Sequence, residues 1–234
     1  TPDNAARGSF APLAGVAANP DGSLSFSGSA AEVQALLRTL EFRPTENRLT
    51  PGQSATSRFT VAVSDGTSAW TDSATTVTVT SVNDAPAMTA GTVIQLPAIT
   101  DGDGGTAPVR VGDLLRGVAR DPDHDAVAGM AVTAEGSPAG QWSYSLDNGR
   151  TWRGFGAVSQ TRAFLLGPDA LVRFESPAGF TGQPTLTFQA WDQTSGTQGG
   201  RLDVRLPGTT DPVSRTSAQL SVLVRELQIG RAHV

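Results

Sequence analysis

Apolar residues recur at every second position through much of this 234-residue chain. Phe59, Val61 and Val63 alternate with Thr60, Ala62 and Ser64, and Val77 and Val79 alternate with Thr76, Thr78 and Thr80. Leu186, Phe188 and Ala190 alternate with Thr187, Gln189 and Trp191, and Leu220, Val222 and Val224 close the pattern. A period of two puts one set of side chains on one face of a pleated strand, so each run predicts a strand with one buried face. β-Branched Val and Thr suit that surface. The 26 Gly and 15 Pro punctuate the runs at turn spacing and leave little room for helices. One helix is predicted where Ser29 and Glu32 form a capping box ahead of "VQALLRTL".

The pattern occurs twice. "LEFRP" (residues 40–44) is followed by Gly52-Gln53, "RFTVAVSDG" and Asp65; "VRFESP" (172–177) is followed by Gly182-Gln183, "LTFQAWDQTSG" and Asp192. Phe42 corresponds to Phe174, and "VQALLRTL" loosely to "TRAFLLGPDAL". The expected fold class is therefore all-β, with two tandem Greek-key β-sandwich modules end to end. The expected domains are 1–82, truncated at its N-terminus, and 83–227. Residues 228–234, ending in "IGRAHV", resemble the read-through translation of a sequencing adapter and are set aside as an artefact of a metagenomic fragment. Trp142, Tyr144, Phe174 and Phe188 are the expected core residues of the second module.

Composition narrows the function. The net charge is −5, which argues against nucleic acid as a partner. All 17 basic residues are Arg, and Asp outnumbers Glu by 16 to 6. There is no Cys, so neither a disulfide framework nor a thiolate metal site is open to the chain. No apolar run reaches the length of a bilayer span, so no membrane insertion is expected.

The acidic residues carry the chemistry. Asn83-Asp84 falls at the module boundary, Asp121, Asp123 and Asp125 alternate in "ARDPDHD", and Asp192 ends a strand. A hard cation such as Ca²⁺ takes six to eight oxygens from carboxylates, amides and backbone. "DGDGG" (101–105) lacks the downstream Glu of an EF-hand loop and reads as a turn. Ser145, Asp147, Gly149 and Trp152 match the Asp-box pattern, whose physics is a tight hairpin with a packed Trp. Leu202-Asp203-Val204 is an integrin-type tripeptide best explained by strand structure. His124 is the only His before residue 228, and no nucleophile elbow, zinc pair or phosphate loop accompanies it, so no enzyme is expected.

"FTVAVSDG…TTVTVTSVNDAP" resembles the end of a cadherin-type repeat, "ARDPDHD" its Asp-x-Asp loop, and "QAWDQ" its Ala-x-Asp strand end. "SVNDAP" and "YSLDNGRTW" are most similar to the cadherin-like tandem repeats of large bacterial secreted or surface adhesins. The resemblance extends to about Leu227. It implies that Asn83, Asp84, Asp121, Asp123 and Asp192 converge on an interdomain Ca²⁺ site, and that Asp65 serves the preceding joint. Ser81 and Ala85 stand where animal cadherins have further ligands, which implies one ion rather than three.

The resulting expectation is an extracellular structural and adhesive repeat of a large bacterial surface protein, secreted or held at the cell surface. Ca²⁺ would rigidify the joint. Its partners would be neighbouring repeats of the same chain and a cell-surface protein or glycan. The alternative is a carbohydrate-binding or accessory module of a polysaccharide-active protein, using Trp70, Trp152 and Trp191 as exposed aromatics.

Overall fold

The computed structural model describes residues 7–123, 126, 128–205 and 208–227. The "IGRAHV" tail, His124 and Asp125 lie outside the described residues. The fold is all-β, and contacts divide the chain into two compact units, Thr1–Val82 and Asn83–Val234.

The first unit contains β1 (Gly8–Phe10), β2 (Ala17–Ala18), β3 (Leu24–Ser25), α1 (Ala30–Thr39), β4 (Phe42–Pro44), β5 (Ser54–Arg58), β6 (Val61–Ser64), β7 (Ala69–Asp72) and β8 (Thr76–Thr80). The strands pair antiparallel as β1–β4, β2–β3, β5–β8 and β6–β7. The capping box forms as expected: Ser29 Oγ accepts from Glu32 N–H, and Glu32 accepts from Ser29 N–H. Phe42 meets Phe59 edge-on, with centroids 4.8 Å apart, and Phe10 packs against both. Burial is shallow beyond that trio. No residue of α1 is buried, and Val63 and Trp70, paired across β6 and β7, are 44% and 61% exposed.

The second unit contains β9 (Ala87–Met88), β10 (Val93–Gln95), β11 (Ile99–Thr100), β12 (Val109–Arg110), α2 (Val111–Leu115), β13 (Ala119–Arg120), β14 (Gly129–Gly136), β15 (Gln141–Ser145), β16 (Arg153–Gly154), β17 (Ala163–Leu166), β18 (Leu171–Glu175), β19 (Thr185–Trp191), β20 (Arg201–Leu202), β21 (Val213–Ser221) and β22 (Val224–Arg225). A six-stranded sheet runs β10-β21-β19-β14-β17-β20, and a four-stranded sheet runs β12-β18-β15-β16. Trp142, Val172 and Phe174 of the smaller sheet pack with Met130, Val132, Leu186, Phe188 and Leu220 of the larger in one core. This is a sandwich-like arrangement, and it follows from the alternation: the residues of even number in β19 face this core. Tyr144 is only partly buried at its edge, packed at a tilt against Phe155 and Phe164.

Three expectations need correction. The segments "VQALLRTL" and "TRAFLLGPDAL" differ in structure, being α1 in one unit and β17 in the other. The first carries a capping box; the second is a four-residue apolar run, buried throughout, that stops at Gly167-Pro168. The short helix α2 has no capping side chain, which is why no sequence signal marks it. Trp191 is 1% exposed. The outer face of the larger sheet has its own core of Ala131, Ala163, Leu165, Trp191, Val204 and Val213, and Trp191 Nε1 donates to Ser195 C=O at 2.8 Å.

The contrast in burial predicts contrasting effects of truncation. Phe188→Ala should lower the unfolding free energy by about 3–5 kcal/mol. Val63→Ala should change it by no more than about 0.5 kcal/mol. Urea denaturation of the two variants beside the parent chain checks both.

Candidate metal centre

The candidate ligands of the second unit are brought together by four segments. Asn83 and Asp84 precede β9, Asp121 and Asp123 follow β13, Asp192 follows β19 directly, and the turn at 208–212 precedes β21. Asn83 Nδ2 donates to Asp192 Oδ2 at 2.8 Å and to the Thr210 carbonyl at 3.2 Å. Asp84 N–H donates to Asp123 Oδ2 at 2.9 Å, and Asp123 N–H to Asp121 Oδ1 at 3.0 Å. Asp192 Oδ1 accepts from both the amide and the hydroxyl of Thr194, at 2.8 and 2.6 Å.

Because the neighbours of Asn83 Nδ2 are all acceptors, the amide has one orientation. That orientation leaves Asn83 Oδ1 buried and without a hydrogen-bond partner. Asp121 Oδ2 and Asp123 Oδ1 are in the same condition. Buried acceptors are ordinarily satisfied, so three orphans on linked residues call for a counter-charge or donor. Asp123 and Asp192 are each 7% exposed, and no Arg pairs with any of the acidic residues here among the described residues.

The electrostatics follow from the geometry. Burial pushes the Asp121 carboxyl up to about 6, and the negative charges of Asp123, Asp192 and Asp84 add to the effect. Burial also raises Asp123, with Asp84 and Asp192 contributing. The group is all oxygen, which suits a hard cation. Among the described residues no three or more His, Cys, Asp or Glu side chains are placed to hold a metal ion by themselves. A cation here would therefore draw on the Asn83 amide oxygen as well as carboxylates.

The turn at 208–212 carries no ligand motif in the sequence, although its Asp211-Pro212 is a turn signal. Thr209 C=O accepts from Ala85 N–H at 2.6 Å, so this turn fastens residues 83–85 to the body of the unit. Asp65 lies in the first unit and caps its own turn, accepting from Thr67 and Ser68 N–H at 2.9 and 2.7 Å. Those donors hold its carboxyl below the usual range. Asp192 caps a turn in the same way through Thr194.

The other motifs are structural. Asp147 Oδ1 accepts from Ser145 Oγ and Thr151 N–H, Asp147 Oδ2 from Thr151 Oγ1, and Trp152 Nε1 donates to Gly149 C=O at 3.1 Å. Asn148 and Gly149 both take positive φ, as a tight hairpin turn requires. In "DGDGG", Asp101 and Asp103 accept from Leu227 and Thr100 N–H, which satisfies a turn. Asp203 pairs with Arg205, and Val204 is buried. No family model, curated protein or solved structure matches the chain.

The raised carboxyls set a pH dependence for the metal-free protein. Asp121 has a folded pKa of about 6 against an ordinary 3.8, so its contribution to stability is fully present below about pH 4 and lost as pH rises through 6. In chelator, stability should fall between about pH 4 and 6. Asp121→Asn should flatten that slope and stabilise the metal-free protein at pH 7 by on the order of 1–2 kcal/mol. Thermal melts across the pH series test this.

Proposed function

We propose that the chain is an extracellular structural and adhesive repeat of a bacterial surface protein. In this reading it comprises two tandem Greek-key, cadherin-like modules, and Ca²⁺ stiffens the joint at residues 83–84. The carrying observation is the set of buried, unpartnered oxygens on Asn83, Asp121 and Asp123, linked by hydrogen bonds to Asp84 and Asp192. Ca²⁺ would be held by Asn83, Asp121 and Asp123, with Asp84 and Asp192 completing the acidic surround. The ion would neutralise carboxylates whose burial is otherwise uncompensated. Asp65 would serve a preceding joint of the same kind.

The turn-rich Asp content and the repeated motif support a repeat array whose acidic loops serve a cation. Among the described residues no helix is long and apolar enough to cross a membrane. The alternative glycan-binding reading loses one of its three aromatics to the interior, since Trp191 is buried, and Arg173 lies 4.0 Å over the Trp152 ring.

Extracellular modules bind Ca²⁺ at about 10⁻⁴–10⁻³ M, which at about 1 mM Ca²⁺ stabilises by roughly 0.4–1.4 kcal/mol per site. Ca²⁺ should raise the melting temperature relative to EDTA and narrow the spread of lengths seen by small-angle scattering. Asp123→Asn should abolish both responses. Melting and scattering profiles that do not change with Ca²⁺ would remove the site and the stiffening together.

A further inference from the structure

Away from the acidic group, the outer face of the four-stranded sheet forms the floor of an open cleft of about 770 Å³. Its rims are the turn at 103–106 and the segments 140–141 and 176–177. The floor presents Arg173 and Glu175, two residues apart on β18 and therefore on one face. Their positions are fixed from several sides. Arg173 Nη2 donates to Glu175 Oε1 at 2.7 Å, Ser143 Oγ donates to the same oxygen at 2.9 Å, and the guanidinium stacks over Trp152 at 4.0 Å.

Two groups in this cleft have hydrogen-bonding capacity left over. Glu175 Oε2 has no partner among the described residues, because its bonds all fall on Oε1. The Gln141 amide lies over Gly154, where an added Cβ would fall 1.7 Å from Gln141 Nε2, and no side-chain hydrogen bond from it is present among the described residues. The missing side chain at 154 is what makes room for that amide.

We infer that this cleft binds a neutral saccharide through adjacent hydroxyls. A vicinal diol offers donors and acceptors side by side; the Glu175 carboxylate and Arg173 guanidinium offer the complement in a fixed arrangement, and the exposed Gln141 amide adds a donor and an acceptor at the edge of the cleft. Charge selects against anions: among the described residues Arg173 is the one base lining the cleft, against the acids Asp103 and Glu175. The volume lies in the range of small-molecule sites, but the lining is mostly polar and the cleft is open to water, which favours a hydrated polyhydroxyl ligand over an apolar one. No aromatic platform faces the ligand, because Phe174 points into the core and Arg173 covers Trp152. Affinity then rests on a few hydrogen bonds, which places it in roughly the millimolar range.

The test is a ¹H–¹⁵N titration of the whole chain with maltose, cellobiose, lactose and mannobiose in turn, with sodium phosphate and spermidine as charged arms. At least one neutral sugar should move amides confined to 103–106, 140–141 and 173–177. Glu175→Gln and Gln141→Ala should each weaken that binding about tenfold while the rest of the spectrum stays in place. The titration is run in both EDTA and Ca²⁺, so that the cleft and the acidic site succeed or fail separately. Silence from all four sugars, shifts produced only by phosphate or spermidine, or full binding by Gln141→Ala would overturn the assignment.

Discussion

The two-sided burial of β19 holds the second unit in place. Leu186, Phe188 and Ala190 enter the core between the sheets, and Trp191 enters a separate core on the outer face. A strand held from both sides cannot slip by one residue, because a slip would exchange its two faces. The residue that follows, Asp192, therefore leaves the sheet at a fixed place and height. Pairing of Trp191 with Val213 sets the neighbouring chain beside it, and through it the turn at 208–212. Acidic chemistry at the end of the unit thus depends on hydrophobic packing well inside it.

At that end the molecule trades local comfort for a concentration of oxygen. Asp121 and Asp123 spend hydrogen-bonding capacity on backbone amides of the same group, and Asn83 spends its amino group on acceptors. None of these contacts supplies positive charge. Burial without a counter-ion is costly, and the raised carboxyls of Asp121 and Asp123 register it. The contrast with Asp147 is instructive: surrounded by hydroxyl and amide donors, its carboxyl is held well below the usual range. Two groups of identical chemistry are driven in opposite directions, Asp121 upward by burial among other carboxylates and Asp147 downward by the donors around it.

Much of the architecture was legible in the sequence because period-two alternation reports directly on a pleated surface. Leu186, Phe188 and Leu220 could be assigned to a buried face on that ground alone, and Ser29 with Glu32 marked α1. What alternation does not report is burial on both faces. Trp191 falls on the "outer" set of β19, and only the fold reveals that Leu165 and Val213 cover it. The helix α2 was illegible because its cap is Arg110, whose side chain makes no capping bond. Of the acidic site, the residues with carboxylates could be named from their spacing. The contribution of the Thr209 and Thr210 carbonyls could not, since backbone groups leave no mark on side-chain identity.

The pairing of β10 and β11 with the last two strands of the second unit has a mechanical consequence. β10 pairs with β21, and β11 with β22, in parallel. When two parallel strands lie at the entry and exit of a unit, pulling its ends apart draws them past each other along their own axes. The hydrogen bonds between them then share the load at once in shear, whereas an antiparallel pair pulled from one end opens bond by bond. Resistance of this kind is a property of unfolding rate under tension, separate from equilibrium stability. It would suit a segment whose working state is to be stretched.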